Sequence, residues 1–547
     1  MTHDPMPETV LPIGDLVPPE LREHWVRAGH CPDRDVHALF RERVAAHPHR
    51  DAVIDATGGV LDYAGLDREV DRIAAALAEA GIGPGDIVGI RMPNGRRMVV
   101  AELAVAAVGA VVLAYPAGRG SKDTRSLLGR SRAAAAIFGT VDDAEDARAL
   151  PCLRRIFTFG AGESGPRSLD DAPPARWAAR PQDAEAPVRI LVTSGSEAEP
   201  KMIAYSHNAM CGGRANYVRA LAEAVRPDRP MRALMLMSLA SSYGSCATHV
   251  AVAALGATLV LAERYETAAA LELVARHRPT HVFGVPTMLR RLADHPPVPA
   301  EDVSSVTTVV SSAAPLSEVT RRAAAERFGA PVISVYGSSD GINCHTARAP
   351  DAPGAGFPDP SVAEIRVVDE AERDVPAGTS GEILARGPMT PLSYVADPDL
   401  DARYRTSDGW VRSGDRGVID EFGRLHVLGR LRQVVSRGGF HISPAEVERE
   451  IAAHPSVVDV ACVGVPDDDL GERLCACLCH TPGTAEPTLP ELTAFLEAER
   501  GLERRKLPEL LVVLPELPLA PTGKVCRRTV SALANEHSLT STPGGIR

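Results

Sequence analysis

The sequence has no long unbroken apolar run, no excess of positive charge and very little lysine, and each lack removes a class of function. The longest nearly continuous apolar stretch, Leu103 to Tyr115, falls short of the roughly 20 residues a membrane-spanning helix needs, so no membrane partner is expected. The first residues, MTHDPMPETV, start acidic and contain no apolar core, so no secretion signal is readable there and a cytoplasmic location is the default. A formal net charge of -12 argues against broad binding to nucleic acids, and any anionic substrate must be met by local positive groups. The ten cysteines lack the paired spacings of zinc sites, and inside a cell they stay thiols. Three of them, Cys475, Cys477 and Cys479, alternate beside His480 in LCACLCH. A strand puts these three on one face, where buried small side chains are the simpler reading and a metal site the alternative. Only Lys122, Lys201, Lys506 and Lys524 are lysine among 59 lysines and arginines, so each lysine is an exception.

What is present is ordinary globular material, 45% apolar and 24% charged, in a chain of 547 residues that is too long for one core. Leu66, Val70, Ile73 and Leu77 recur at helical spacing, Gly81 is placed to end that helix, and DIVGIRM follows as a buried strand. The alternation repeats through MVVAELAVAAVGA, VVLAYPAG, GATLVLAE, HVFGVP, VTTVVSSAAP and PVISVYGSSD. The predicted class is therefore α/β: a large N-terminal domain of parallel and mixed sheets covered by helices, with ligand-binding loops at the carboxyl ends of its strands. Residues 161 to 187 read as an exposed connection. After GRLHVLGRLRQ the pattern becomes a compact α+β unit, so the expected division is a large domain over 1–430, a small mobile domain over 431–535 and a flexible tail over 536–547.

Five stretches carry the chemistry. TSGSEAEPK (193–201) leaves a strand as a loop of small residues suited to phosphate, VYGSSDG (335–341) ends another strand, and VRSGDRG (411–417) reads as a turn. GRLRQVVSRGGFHISPAEVE spans the domain junction, and PLAPTGKVCRR lies near the C-terminus. In this order and spacing they resemble the adenylate-forming superfamily of acyl-CoA synthetases, peptide-synthetase adenylation domains and luciferases, from about residue 37 to about residue 530.

The resemblance implies a two-step ligase. A carboxylic acid attacks the α-phosphate of ATP to give acyl-AMP, then the small domain rotates and a thiol, usually that of coenzyme A, displaces AMP. Anion meets anion in the first step, so a compact cation must bridge them, and Lys524 stands at the family's position for it. Asp415 matches the carboxylate that accepts both ribose hydroxyls, as a bidentate acceptor should. Arg430 matches a nucleotide-contacting arginine and Arg432 the hinge. Thr193, Ser194, Gly195, Ser196 and Lys201 match the phosphate loop, and Tyr336, Gly337, Ser338 and Ser339 with Ser312, Ala313 and Ala314 the nucleotide pocket. Ser241, Tyr243, Gly244, Tyr336 and Gly341 are the implied acyl pocket, and Gly438, Gly439 and Phe440 the implied coenzyme A tunnel.

The departures from the family pattern are specific. The usual phosphate loop is Thr-Ser-Gly-Ser/Thr-Thr-Gly-x-Pro-Lys-Gly, whereas this chain has Glu197, Ala198, Glu199 and, after Lys201, Met202. Two like charges about 4 Å apart at an effective dielectric near 20 repel by roughly 4 kcal/mol, so weak adenylation and a bias toward thioesterifying acyl-AMP are expected, the latter supplied by a separate adenylating enzyme. Glu197 held on Mg²⁺ is the alternative. Asp340 replaces the glutamate associated with Mg²⁺. Ala240 and Ser241 replace an aromatic residue and a histidine, which points to a roomy pocket for a bulky or cyclic acid. Delivery to a carrier-protein phosphopantetheine, or nucleotide binding without catalysis, are the competing readings. The arginine- and alanine-rich composition hints at a high-G+C bacterium and secondary metabolism.

Overall fold

The computed structural model describes residues 12–160, 166–193, 200–223, 230–431, 434–437, 440–467, 470–481, 483–520 and 524–541. Two eight-stranded sheets build the large lobe. In the first, the parallel strands Val332–Gly337, Thr308–Ser312, His281–Gly284, Arg232–Met235, Thr258–Leu261 and Asp51–Asp55 lie side by side, with antiparallel edges Asn343–His345 and Val60–Asp62. The second is ordered Ser393–Tyr394, Met202–Ser206, Pro187–Val192, Val111–Ala114, Ile87–Arg91, Ala135–Phe138, Arg155–Thr158 and Arg167–Ser168. Central strands such as Val111–Ala114 and Ala135–Phe138 are buried at every position, as parallel strands covered on both faces must be.

The helices Tyr63–Glu79 and Arg96–Ala107 fill the space between the sheets, and one hydrophobic cluster joins Val53 of the first sheet, Leu66 and Val99 of the helices and Val88 of the second sheet. Arg96–Ala107 is buried from Met98 to Ala107, the behaviour of a helix covered on all sides, with Glu102 the one charged side chain in that stretch. Asp62 caps the other helix by accepting from the Gly65 amide, and Gly81 follows its end with a φ of +80°. The connection at 166–186 runs along the surface, anchored where Leu169, Ala172 and Ala184 are buried and the Trp177 indole donates to the Ala107 carbonyl.

A third, antiparallel sheet of Glu364–Val368, Gly381–Arg386, Val411–Ile419 and Leu425–Arg430 leads to the small lobe. There the long antiparallel pair Val457–Asp467 and Gly471–His480 is flanked by the helices Pro444–Ile451, Leu489–Ala498 and Arg527–Ser541. Alternation along Gly471–His480 sends Leu474, Ala476 and Leu478 into one cluster and Cys475, Cys477 and Cys479 into another with Val512, Leu517 and Val530. The three thiols are packing groups, and no set of three potential metal ligands exists among the described residues. The last helix continues to Ser541, into the stretch expected as a tail from 536. Among the described residues no helix is long and apolar enough to cross a membrane.

Candidate active site

Asp415 and Arg430 are cross-strand partners in the third sheet. VRSGDRG is thus not a turn but the first seven residues of the strand Val411–Ile419. Gly414, at a φ of +67°, and a register shift between Arg416 and Gly417 bend this strand so that the carboxylate turns toward the first sheet. There the Tyr336 hydroxyl, at the carboxyl end of Val332–Gly337, donates to Asp415 Oδ2 at 2.6 Å while Arg430 Nε lies 2.8 Å from Oδ1. Asp415 is only 4% exposed. Burial pushes its carboxyl above the usual value, with Arg430 and the Tyr336 hydroxyl pulling the other way. The phenol of Tyr336 is pushed well above its ordinary value, first by burial and then by the carboxylate.

Lys524 comes to this place from the small lobe. The Ala520 amide donates to the Lys524 carbonyl at 2.7 Å. Burial lowers the ammonium below the ordinary lysine value, and the positive field of Arg430 lowers it further. Lys524, from the small lobe, therefore lies within the field of Arg430, which in turn pairs with Asp415.

The loop after Tyr336 is held from three sides. The Tyr205 hydroxyl donates to the Ser339 carbonyl at 2.7 Å, the Tyr394 hydroxyl donates to Asp340 Oδ1, and Ser338 Oγ accepts from the Asp340 amide at 3.1 Å. Gly341 has a φ of +92°, and a Cβ there would lie 2.5 Å from Pro391 Cδ. On the neighbouring strand Ser312 Oγ donates to the Val335 carbonyl at 2.9 Å, and Ala313 takes a φ of +76° that a residue with a Cβ rarely adopts. Ala314 beside it is exposed. Asp340 offers one carboxylate to a cation, with one of its oxygens engaged by Tyr394. This fits an Mg²⁺ ion that is also bound by substrate phosphates rather than one caged by protein alone.

Thr193 and Lys201 bracket the phosphate loop and bond each other, the Thr193 amide to the Lys201 carbonyl at 3.0 Å and the Lys201 amide to Thr193 Oγ1 at 3.2 Å. Arg119 Nη2 donates to the Thr193 carbonyl at 2.8 Å. The Lys201 ammonium sits 4.0 Å from the centre of the Tyr404 ring, which in turn packs on Tyr394 with centroids 5.9 Å apart. Ser194, Gly195, Ser196, Glu197, Ala198 and Glu199, with Arg432, Gly438 and Gly439, lie outside the described residues. Phe440 begins the strand Phe440–Ile442, its backbone paired with Arg437.

In the segment expected to line the acyl pocket, Ser241 Oγ donates to the Ser238 carbonyl at 2.7 Å and accepts from the Gly244 amide at 2.9 Å. A Cβ at Gly244 would lie 2.0 Å from the Ser238 oxygen, so this tight fold admits glycine alone. Tyr243 donates to the Val310 carbonyl at 3.1 Å and packs against Phe283. Sequence reasoning passed over Tyr205, Tyr394, Tyr404, the half-buried Arg405 and the buried Arg214. A signal did exist: the chain has nine tyrosines, and Tyr205, Tyr243, Tyr336, Tyr394 and Tyr404 all meet here.

The AMP-binding enzyme profile matches residues 40–395, and the AMP-binding enzyme C-terminal domain matches residues 446–524. The chain belongs to this family, the adenylate-forming superfamily of AMP-forming ligases. It is 30% identical to a salicyl-AMP ligase / salicyl-S-ArCP synthetase of Mycobacterium tuberculosis, over 95% of this chain and 94% of that protein. It is 29% identical to a 2-hydroxy-7-methoxy-5-methyl-1-naphthoate–CoA ligase of Streptomyces carzinostaticus, over 96% and 97%. The amide bond synthetase McbA of Marinactinospora thermotolerans has a similar solved structure, with a TM-score of 0.78 and 30% identity over 91% of this chain and 99% of that one.

Proposed function

We propose that this chain activates a bulky or cyclic carboxylic acid as its acyl-AMP and passes the acyl group to the thiol of coenzyme A. The observation that carries the reading is the buried Asp415 carboxylate held between Tyr336 and Arg430, with Lys524 of the small lobe in the field of that arginine. In the first step the acid's carboxylate oxygen bonds to the α-phosphorus of ATP and pyrophosphate leaves. Asp415 receives the ribose diol, and Lys524 offsets the negative charge that gathers between carboxylate and phosphate. In the second step the thiol sulfur bonds to the acyl carbon, the mixed anhydride breaks and AMP leaves. The small lobe turns about Arg432 between the steps, so that Lys524 withdraws and the strand begun by Phe440, with Gly438 and Gly439, lines the path of the thiol.

Glu197 and Glu199 in the phosphate loop weaken the first step relative to the second. A panel of acids, each offered with ATP and as its preformed adenylate, tests the reading by ATP–pyrophosphate exchange and by thioester formation. Thioester from adenylate with little exchange is expected; no thioester from any adenylate overturns the reading. A carrier-protein thiol is the second acceptor, supported by the likeness to a protein named as a salicyl-S-ArCP synthetase. Kinetics with free coenzyme A against a phosphopantetheinylated carrier separate the two.

A further inference from the structure

Arg214 closes a π-helical turn, Ala209–Arg214, of the kind that often marks a functional position in a helix. Its side chain is buried, 2% exposed, and a guanidinium stays charged at any physiological pH. No carboxylate lies within ion-pair reach of it among the described residues. Its partners are neutral and distant: Nη1 donates to the Ser242 carbonyl at 3.3 Å and to Ser245 Oγ at 3.2 Å, and Nη2 to the Tyr205 hydroxyl at 3.4 Å. The guanidinium carbon lies 4.8 Å from the centre of the Tyr205 ring, and Nε has no partner. Burying an unpaired charge is among the costliest arrangements in a protein. The other buried arginine of this lobe, Arg189, has Glu102 at 2.6 Å.

The position of this charge gives it a purpose. Ser242 and Ser245 interleave with Ser241, Tyr243 and Gly244, the wall assigned to the acyl group. Tyr205 links the guanidinium to the Ser339 carbonyl beside Asp340, at 2.7 Å. Arg214 thus stands between the acyl wall and the nucleotide loop. The turn is pinned there, since a Cβ at Gly213 would lie 2.2 Å from the Met389 amide nitrogen.

We propose that Arg214 is the specificity-determining counter-ion for a second anionic group on the acyl substrate, so that the preferred acid is a dicarboxylic or comparably acidic one whose remote charge ends on Arg214. This inference rests on the ligase reading for the identity of the acyl wall.

The test compares benzene-1,3-dicarboxylate with benzoate, and glutarate with butyrate, on the full chain. Calorimetric binding and thioester formation are followed in the wild type, Arg214→Met and Arg214→Lys. The wild type is expected to favour the diacid of each pair. Arg214→Met should reduce the diacid-to-monoacid ratio by about 100-fold, the scale of truncating one partner of a buried charge pair, and Arg214→Lys should keep part of it. Wild-type preference for monoacids, or a ratio unchanged in Arg214→Met, overturns the proposal, as does equal loss of both acids in a folded Arg214→Met protein. Monoacid turnover without diacid preference sinks this inference and leaves the ligase reading standing. Diacid-selective binding without any thioester does the reverse.

Discussion

Tyr336 and Asp415 are 79 residues apart in the chain, yet the phenol donates to the carboxylate at 2.6 Å and ties the end of the first sheet to the strand that leads to the small lobe. The bond lowers the Asp415 carboxyl against the burial that raises it. Tyr336→Phe removes that pull and lifts the carboxyl further. Because the ionised form is the proposed acceptor for a ribose diol, AMP binding should then fail at a higher pH as the solution is acidified. Near neutrality the lost hydrogen bond to a charged group, about 1.5 kcal/mol, should weaken AMP roughly tenfold. Calorimetric AMP affinity against pH checks both, and an unchanged acid limb refutes the assignment. Asp415→Ala should weaken AMP about 100-fold, since two charge-assisted bonds are lost.

In the role proposed for it, Lys524 must carry its proton to offset charge in the first step. Burial and Arg430 lower its pKa, so exchange should decline with rising pH before an ordinary lysine would titrate. Arg430→Ala removes one of the two lowering causes and should move that alkaline limb upward, although it weakens nucleotide binding. Lys524→Ala should reduce ATP–pyrophosphate exchange by about 100-fold or more, on the scale of losing one preorganised electrostatic group. Thioester formation from supplied acyl-AMP should fall far less, because the lysine has then withdrawn. Equal loss in both assays would contradict a lysine that serves adenylation alone.

How much of this was legible from residue order depended on range. Periodicity located the parallel strands and the helix Tyr63–Glu79, because apolar spacing is a local property. Asp415 was identified but misplaced in a turn: its small and polar neighbours read as turn residues, and only the pairing of Asp415 with Arg430 shows them to be a bent strand. Tyr205, Tyr394 and Tyr404 were missed because each belongs to the site only by tertiary contact, with Ser339, Asp340 and Lys201 respectively. Arg214 stood unmarked among 55 arginines, and only its burial without an acid singles it out.

Glu197 and Ala198 stand where the family keeps a hydroxyl and a glycine. If charge repulsion is what limits adenylation, Glu197→Thr with Ala198→Gly should raise exchange by roughly 10- to 100-fold, less than the full Coulomb figure because solvent and salt screen such repulsion. High salt should reduce the gap between this variant and the wild type, whereas a metal-binding Glu197 would make the same substitutions lower exchange and its Mg²⁺ dependence.

Arg189 and Glu102 form a dry pair, Nη1 to Oε1 at 2.6 Å with side chains 0% and 1% exposed, linking the strand Pro187–Val192 to the helix Arg96–Ala107. Arg189 Nη2 also donates to the Leu239 carbonyl at 3.1 Å, at the head of the acyl-wall segment, while Asn94 accepts from the Leu239 amide at 2.9 Å. Breaking such a pair leaves a desolvated charge behind, so Glu102→Leu alone should destabilise the large lobe by about 3–5 kcal/mol. Glu102→Leu together with Arg189→Met leaves no charge and should recover most of that loss, since apolar replacement of a whole buried pair is often neutral. Urea unfolding of the two singles and the double measures the coupling. If the losses simply add, the pair is not what holds these elements together. Recovered stability with a lasting rise in KM for the acid would place the value of Arg189 in fixing Leu239, and so the acyl wall, rather than in the fold.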